Sequence, residues 1–238
     1  MSARLAVVSH PDLLILAAHP IELAGLRSAL GDRLRGSIKN LSVAATDVGV
    51  GLTLAGAGAM RRLLDEQPRH VVILGSFGLY PGGDAFVPGQ LLIPSGFRLI
   101  DTTVLAGHAA FPAPMPVTAQ PDLALSDALV NGADNVLRAE VATTLAITQD
   151  DALAQLLGAR SDCIAENLEA MAIGLACSAV GVTWTALLGC TNAVGAQGRA
   201  QWASNHAIAA ATSSAHLLAW LAAGAPGLVA STPTDAAR

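Results

Sequence analysis

Apolar residues in this chain fall into short runs separated by longer stretches of helical spacing. Asp12 to Ala18, Leu41 to Thr46, Val71 to Ser76, Gln90 to Pro94, Thr143 to Thr148 and Val182 to Gly189 are apolar or β-branched runs of strand length. Most are apolar at consecutive positions, which predicts strands buried on both faces. Between them lie helical patterns over Ile21 to Leu30, Leu52 to Glu66, Leu123 to Val130, Asp151 to Leu157, a helix entered near Glu169, and Ala200 to Ala222. Strands alternating with helices predict an α/β fold of three layers, α/β/α, around a central twisted sheet that is largely parallel or mixed. In such a sheet ligands bind beyond the carboxyl ends of the strands, so functional residues are expected just after them.

One domain is expected over residues 1–230, with a flexible tail over 231–238. The longest stretch without a pattern runs from Gly96 to Pro121 and contains Pro112, Pro114 and Pro116. A loop of that length is either functional or an irregular surface excursion. Its apolar members Phe111 and Met115 are placed to cover a pocket or a neighbouring subunit.

Composition narrows the ligand. The chain has 238 residues, 53% hydrophobic and 13% charged, with a formal net charge of -5 and no run of Lys or Arg. Nucleic-acid binding needs clustered cations, so a small-molecule partner is expected and nucleic acid is not. Cys163, Cys177 and Cys190 form neither a CxxC pair nor an even set, which favours a reducing, cytoplasmic setting. Ala200 to Ala230 lacks Asp, Glu, Lys and Arg, but His206, Ser213, Ser214, His216 and Pro226 make it a buried helix rather than a membrane span. His10-Pro11-Asp12 cuts the apolar run that would otherwise resemble an export signal.

Several polar residues stand where the strands end. In Ala165-Glu166-Asn167-Leu168-Glu169-Ala170-Met171, both glutamates are expected in the first turn of a helix whose core face carries Leu168, Met171, Ala172, Leu175, Ala176 and Ala179. They either cap that helix or, as ionised acceptors, grip a pair of hydroxyls. Glu22, after His19-Pro20, lies near another helix start, where it serves the helix dipole or orients and deprotonates a water. Gly75-Ser76-Phe77-Gly78 is either an ordinary strand-to-loop turn or a place for close approach of a ligand to backbone. Asn192 is a turn former, or a donor and acceptor that read the N7 and carbonyl edge of a 6-oxopurine. In Gly49-Val50-Gly51 the next glycine is Gly56, two positions late for a dinucleotide fingerprint. The histidines form no metal-binding spacing, and no GxSxG elbow or P-loop is present, so neither metal nor cofactor is expected.

Taken in order, these segments resemble the nucleoside phosphorylase and nucleosidase superfamily, most closely its futalosine hydrolase branch. The resemblance runs from about Leu14 to about Leu221. It is carried by Ala17 to Leu23, Gly49-Val50-Gly51, Gly75 to Gly78, Val87 to Pro94, Thr191-Asn192, Arg199 to Trp202, and Glu166-Asn167-Leu168-Glu169-Ala170, which is similar to the family's E-N-M-E-G. It implies hydrolysis of the N-glycosidic bond of a purine nucleoside, with hypoxanthine released from futalosine in menaquinone biosynthesis. Glu22 would activate the water and Asn192 would hold the base. Glu169 would take the ribose hydroxyls, with Ser76, Phe77, Gly78, Leu168, Phe111 and Arg199 completing the substrate pocket. The resemblance also implies a homo-oligomer in which a neighbouring chain completes the pocket. An asparagine at 192 fits a 6-oxo base, whereas the methylthioadenosine and adenosylhomocysteine nucleosidases carry a proton-donating Asp there. Leu168 and Ala170 are mild departures. Leu188 is larger: the hydrolases tend to have an arginine shortly before the Ser-Asp or Ser-Asn pair, and an alkyl chain supplies neither charge nor bidentate hydrogen bonds.

Overall fold

The computed structural model describes residues 10–82, 86–130 and 135–228. Its strands are β1 (Leu13–Ala17), β2 (Arg35–Ile38), β3 (Leu41–Asp47), β4 (His70–Leu79), β5 (Leu91–Leu99), β6 (Thr118–Ala119), β7 (Leu137–Thr143), β8 (Ala165–Glu166) and β9 (Thr183–Ala193). Its helices are α1 (Arg27–Leu30), α2 (Leu52–Glu66), α3 (Thr102–Leu105), α4 (Leu123–Val130), α5 (Asp151–Arg160), α6 (Ala170–Ala179) and α7 (Gly198–Ala222). The strands form one sheet in the order β2-β3-β1-β4-β8-β7-β5-β6, with β9 paired to both β4 and β5. It is mixed: β1 runs parallel to β3 and β4, and β9 is parallel to β4 but antiparallel to β5.

The three layers follow from the alternation of side chains along each strand. Leu14 and Leu16 of β1 and Val71 and Ile73 of β4 pack with Ala55, Ala59 and Leu63 of α2 and Met171, Ile173 and Cys177 of α6. Their neighbours Leu13, Ile15, Ala17, Val72 and Leu74 face the opposite way, onto Leu23, Leu26, Leu125, Leu129, Leu217 and Trp220. Every residue of β1 is buried, so the consecutive apolar run reads as a strand covered on both sides.

Several boundaries differ from the sequence expectation. The seventh strand is Leu137–Thr143, whereas Thr144 to Thr148 leaves the sheet as a loop. The β-branched content of 143–148 suggested a strand, but pairing with β5 and β8 is made by the alternating segment before it. The expected loop beginning at Gly96 is in part strand: β5 continues to Leu99, past a register shift between Pro94 and Gly96. A proline has no N–H to give a ladder, and a bulge is where a strand tolerates one. Helix α3, capped by the Asp101 carboxylate, and β6 lie within the same stretch. Ile21 to Leu30 is a 3-10 helix over Pro20–Leu26 that continues into α1. The buried face of α6 is Ala170, Met171, Ile173, Gly174, Ala176 and Cys177; Leu168, Ala172 and Leu175 are half-buried and Ala179 is exposed. The apolar composition of α6 all around its axis leaves the sequence little contrast from which to choose a face.

Glycine determines how closely α2 sits on the sheet. A methyl group on Gly58, within α2, would stand 2.0 Å from the carbonyl oxygen of Val48, which is backbone and cannot swing aside. Alanine normally stabilises a helix interior relative to glycine by about 1 kcal/mol. Here Gly58→Ala is expected to do the reverse, lowering stability by about 2 kcal/mol or more in urea denaturation, because α2 must move off the Val48 backbone that follows β3.

Among the described residues no helix is long and apolar enough to cross a membrane. The expected flexible tail, 231–238, lies outside the described residues.

Candidate active site

The chain leaves β1 through Ala18 and His19 and turns at Pro20, whose fixed φ suits a helix start. The turn is closed reciprocally: His19 Nδ1 accepts from the Ile21 amide at 3.2 Å, and Glu22 Oε2 accepts from the His19 amide at 3.1 Å. Glu22 Oε1 accepts from the Ser76 hydroxyl at 3.2 Å, which draws the carboxylate towards the end of β4. Helix capping and a position facing the cavity, alternatives in the sequence, are therefore both properties of Glu22. The indole of Trp202 reaches the same Ser76 hydroxyl from α7 at 3.4 Å.

The two glutamates expected in one helical turn part company. Glu166 lies on β8, buried, where it accepts from Tyr80 Oη at 2.9 Å, Thr148 Oγ1 at 2.6 Å and the Thr148 amide at 3.1 Å. Glu169 is the N-cap residue of α6, and its Oε1 accepts from the Gly51 amide at 2.9 Å. Gly51 precedes α2 at φ 84°, a left-handed conformation that glycine adopts without strain. The Gly49-Val50-Gly51 turn thus presents an amide to Glu169.

Asn167 joins these pieces. Its Nδ2 donates to the Ser76 carbonyl at 2.9 Å, while its Oδ1 accepts from the amides of Glu169 at 3.0 Å and Ala170 at 2.7 Å. It performs the N-cap function for α6 from two residues before the cap position. Asn167→Ala is expected to lower stability by about 1–2 kcal/mol through loss of that cap. It should also lower turnover, because Glu169 and Ser76 lose their common brace; thermal melts and kcat measured together check both effects.

Asn192 stands next to the end of β9. Its Oδ1 lies 2.7 Å from Thr191 Oγ1, and its Nδ2 donates to the Ala193 carbonyl at 2.9 Å. An amide has two N–H groups and two acceptor lone pairs, so one of each remains for a ligand. A methyl group on Gly78 would meet Asn192 Nδ2 at 2.7 Å, so glycine is what lets this side chain lie across β4.

These residues line one cavity of about 310 Å³, bounded by Glu22, Ser76, Phe77, Gly78, Leu168, Glu169, Asn192 and Arg199, together with His19, Glu166, Asn167, Thr191 and Trp202. Val50 and Ile147 also line it and are 54% and 39% exposed, which makes its mouth apolar. Phe111 is half-buried in the segment after α3 and is not among the lining residues. Leu188 is fully buried; a methyl group on Gly75 would lie 3.0 Å from Leu188 Cδ2 and 3.9 Å from Glu22 Oε1. An alkyl chain thus occupies the layer beneath Glu22, and Arg199, exposed at the first turn of α7, is the one cation among the lining residues.

That charge balance shapes the acidity of the site. Burial, and secondarily repulsion from Glu169, push Glu22 up from 4.5 to about 7, against the lowering effect of its bonds to His19 and Ser76. Glu169 is also raised, by burial, with the Gly51 amide opposing. Glu22 is thus poised to exchange a proton near neutrality, as a general base requires. Among the described residues no group of three or more His, Cys, Asp or Glu side chains converges to hold a metal.

Asn167, Thr191 and Trp202 did not emerge individually from sequence as pocket residues, and Glu166, read there as a second carboxylate of the helix start, lines the pocket from β8 instead. Asn167 lay inside a quoted motif, but only the tertiary structure brings one end of its amide to β4 while the other caps α6.

The architecture is that of the nucleoside phosphorylase and nucleosidase fold. A 5'-methylthioadenosine nucleosidase mutant from Helicobacter pylori, solved with 5'-methylthioadenosine in the active site, superposes with a TM-score of 0.78 at 14% identity, covering 90% of this chain and 99% of that one. A futalosine hydrolase mutant from H. pylori superposes with a TM-score of 0.78 at 14% identity, over 88% and 97% of the two chains. The Streptococcus pneumoniae 5'-methylthioadenosine/S-adenosylhomocysteine nucleosidase, bound to a transition-state inhibitor, gives 0.75 at 18% identity over 89% and 98%. No family model and no curated protein sequence matches the chain.

Proposed function

We propose that this protein hydrolyses the N-glycosidic bond of a 6-oxopurine nucleoside, with futalosine as the leading substrate and hypoxanthine as the released base. The observation that carries this reading is the meeting of Glu22, Glu169 and Asn192, from three distant parts of the chain, around one cavity.

In this reading Glu169, with one oxygen held by Gly51, offers the other to the ribose hydroxyls. Asn192 takes the N7 and carbonyl edge of the base. As the C1'–N9 bond breaks, its electron pair moves to the base, which takes up a proton from solvent to leave as hypoxanthine, and positive charge grows on the ribose. Glu22 removes a proton from the water whose oxygen bonds to C1', and the nearby carboxylates stabilise the cationic ring. Trp202 and Leu168 provide apolar cover, and Arg199 is available to an anionic group on the sugar substituent. Phe111 belongs to this scheme as a contribution from a second copy of the chain, seated over the apolar mouth at Val50 and Ile147.

Incubation with futalosine, inosine and methylthioadenosine, with and without phosphate, tests the reading. Phosphate-independent hypoxanthine release is the expected result, and strict phosphate dependence would replace hydrolysis by phosphorolysis. Leu188 favours a second reading, a nucleoside-binding protein with weakened turnover, because Glu22 has no guanidinium beside it among the described residues. Tight nucleoside binding without base release would establish that alternative.

A further inference from the structure

Trp202 stands in the second turn of α7, and its indole N–H donates to the Ser76 hydroxyl at 3.4 Å. The same hydroxyl donates to Glu22 Oε1 at 3.2 Å. An indole nitrogen only donates and an ionised carboxylate only accepts, so the two bonds run one way, from Trp202 through Ser76 to Glu22. With one lone pair of Ser76 committed to the indole, its hydrogen is confined to fewer directions, and the carboxylate is the acceptor it meets.

Trp202 is itself held. His206, one turn later on α7, stacks on the indole with ring centroids 4.8 Å apart and 24° between the planes. Its Nδ1 lies 3.1 Å from the Trp202 carbonyl, which can only accept, so that nitrogen carries the hydrogen. Gln201 Oε1 accepts from the Ala193 amide at 2.9 Å and Asn205 Nδ2 donates to the Thr191 carbonyl at 2.9 Å, which pins the first turns of α7 to the end of β9. Asn167 fixes the Ser76 backbone from the other side. Beneath Glu22 the fully buried Leu188 brings no donor. The ionisable groups that line the cavity with Glu22 are His19, Glu166, Glu169 and Arg199, and His206 lies against the indole.

We propose that Trp202 is a positioning residue: its indole N–H fixes the Ser76 hydroxyl as a donor to Glu22 and so holds the Glu22 carboxylate in the orientation from which it takes a proton from water. The assignment rests on the hydrolytic reading above and gives Trp202 a polar task besides apolar cover. Successive hydrogen bonds polarise one another, so an N–H donated to Ser76 makes that hydroxyl a stronger donor to ionised Glu22. Loss of the N–H should therefore disfavour the ionised form. Glu22 Oε2 accepts from the His19 amide and Oε1 from Ser76, which leaves each oxygen a lone pair for the water.

Two measurements on the full chain test it. In the first, Trp202→Phe keeps a ring against His206 and removes the N–H. With inosine and futalosine as substrates, kcat should fall about 3- to 10-fold, the value of one neutral hydrogen bond, with KM changed by no more than about 2-fold. The acid limb of kcat/KM should move to higher pH, because the ionised carboxylate loses support. Ser76→Ala should move the limb the same way, and adding Trp202→Phe to it should cost nothing more. A rise in KM with an unmoved limb, repeated in the Ser76→Ala background, would leave Trp202 as apolar cover only.

The second measurement needs neither turnover nor a variant at position 202. The Trp202 indole N–H signal, assigned by triple-resonance NMR, should titrate with Glu22. That inflection should vanish in Glu22→Gln and in Ser76→Ala, whereas one arising from the stacked His206 would persist in both. Trp184 and Trp220, whose indoles donate to Ser178 Oγ and to the Pro226 carbonyl, serve as references. Absence of a Glu22-dependent inflection, or its survival in Ser76→Ala, would overturn the hydrogen-bond chain while leaving hydrolysis intact. A titrating indole in a protein that cleaves no nucleoside would support the chain and sink the hydrolytic reading instead.

Discussion

Glu22→Gln is expected to lower kcat for base release by about 10³-fold with little change in KM, since it removes the group that takes the proton from water and leaves the nucleoside contacts in place. In the unmodified protein the same carboxylate sets the pH dependence. With its acidity near 7, Glu22 is protonated and idle well below neutrality, so kcat/KM should rise about tenfold per pH unit up to about pH 7 and then level. Residual activity of Glu22→Gln should lack that limb. Stability should move the other way. Between about 4.5 and about 7 the folded state binds more protons than the unfolded one at this position, so Glu22 weakens the fold as pH rises through that window. The neutral amide escapes this and still accepts from His19 or Ser76. Thermal melts of Glu22→Gln should match wild type at pH 4 and exceed it at pH 8, by on the order of 1–2 kcal/mol given that solvent reaches part of the group. A variant with full turnover, or one that is less stable at pH 8, would contradict the role assigned to Glu22.

The second large effect is at Glu169. Glu169→Gln should reduce kcat/KM on a ribonucleoside by about 10²-fold, through loss of charge-assisted bonds to the sugar hydroxyls. The amide carbonyl can still accept from Gly51, so α6 should stay anchored. 2'-Deoxyinosine provides the cross-check: it should be about 10-fold or more poorer than inosine for wild type, and that difference should shrink in Glu169→Gln, as in a double-mutant cycle. Loss of the neighbouring negative charge should also shift the acid limb of the pH profile downward, because repulsion from Glu169 is one cause of the raised acidity constant of Glu22. A deoxy penalty unchanged in the variant would place the hydroxyls elsewhere.

Much of this architecture is written in local pattern. The consecutive apolar residues of Leu13–Ala17 and Val71–Leu74 can be buried only between two layers of helices, and Leu52–Glu66 has helical length and spacing. Pro20 and Glu22 announce a helix entrance from composition alone; Ser76 and Asn192 are expected just after their strands, but β4 runs on to Leu79 through the turn expected at Gly75 to Gly78 and β9 to Ala193, so both lie inside the ends of their strands. Edge and pairing details were less legible. Arg35–Ile38 alternates exposed with half-buried residues at the rim of the sheet, where little apolar area marks a strand. Pro94 looked like an end to β5, but a bulge absorbs it.

What the chain determines by itself is the set of elements and the identity of the polar groups at their ends, because both depend on neighbours within a few residues. What only tertiary structure decides is which of those groups meet. Glu166 and Glu169 are three positions apart and end in different roles, one fixed by Tyr80 and Thr148 and the other by Gly51. Glu22 becomes a near-neutral base only when the fold buries it and α6 brings Glu169 near it, against the opposing bond from Ser76 of β4. The physical reason is that burial and Coulomb repulsion depend on separation in space, and the residues responsible lie on strands and helices far apart in the chain.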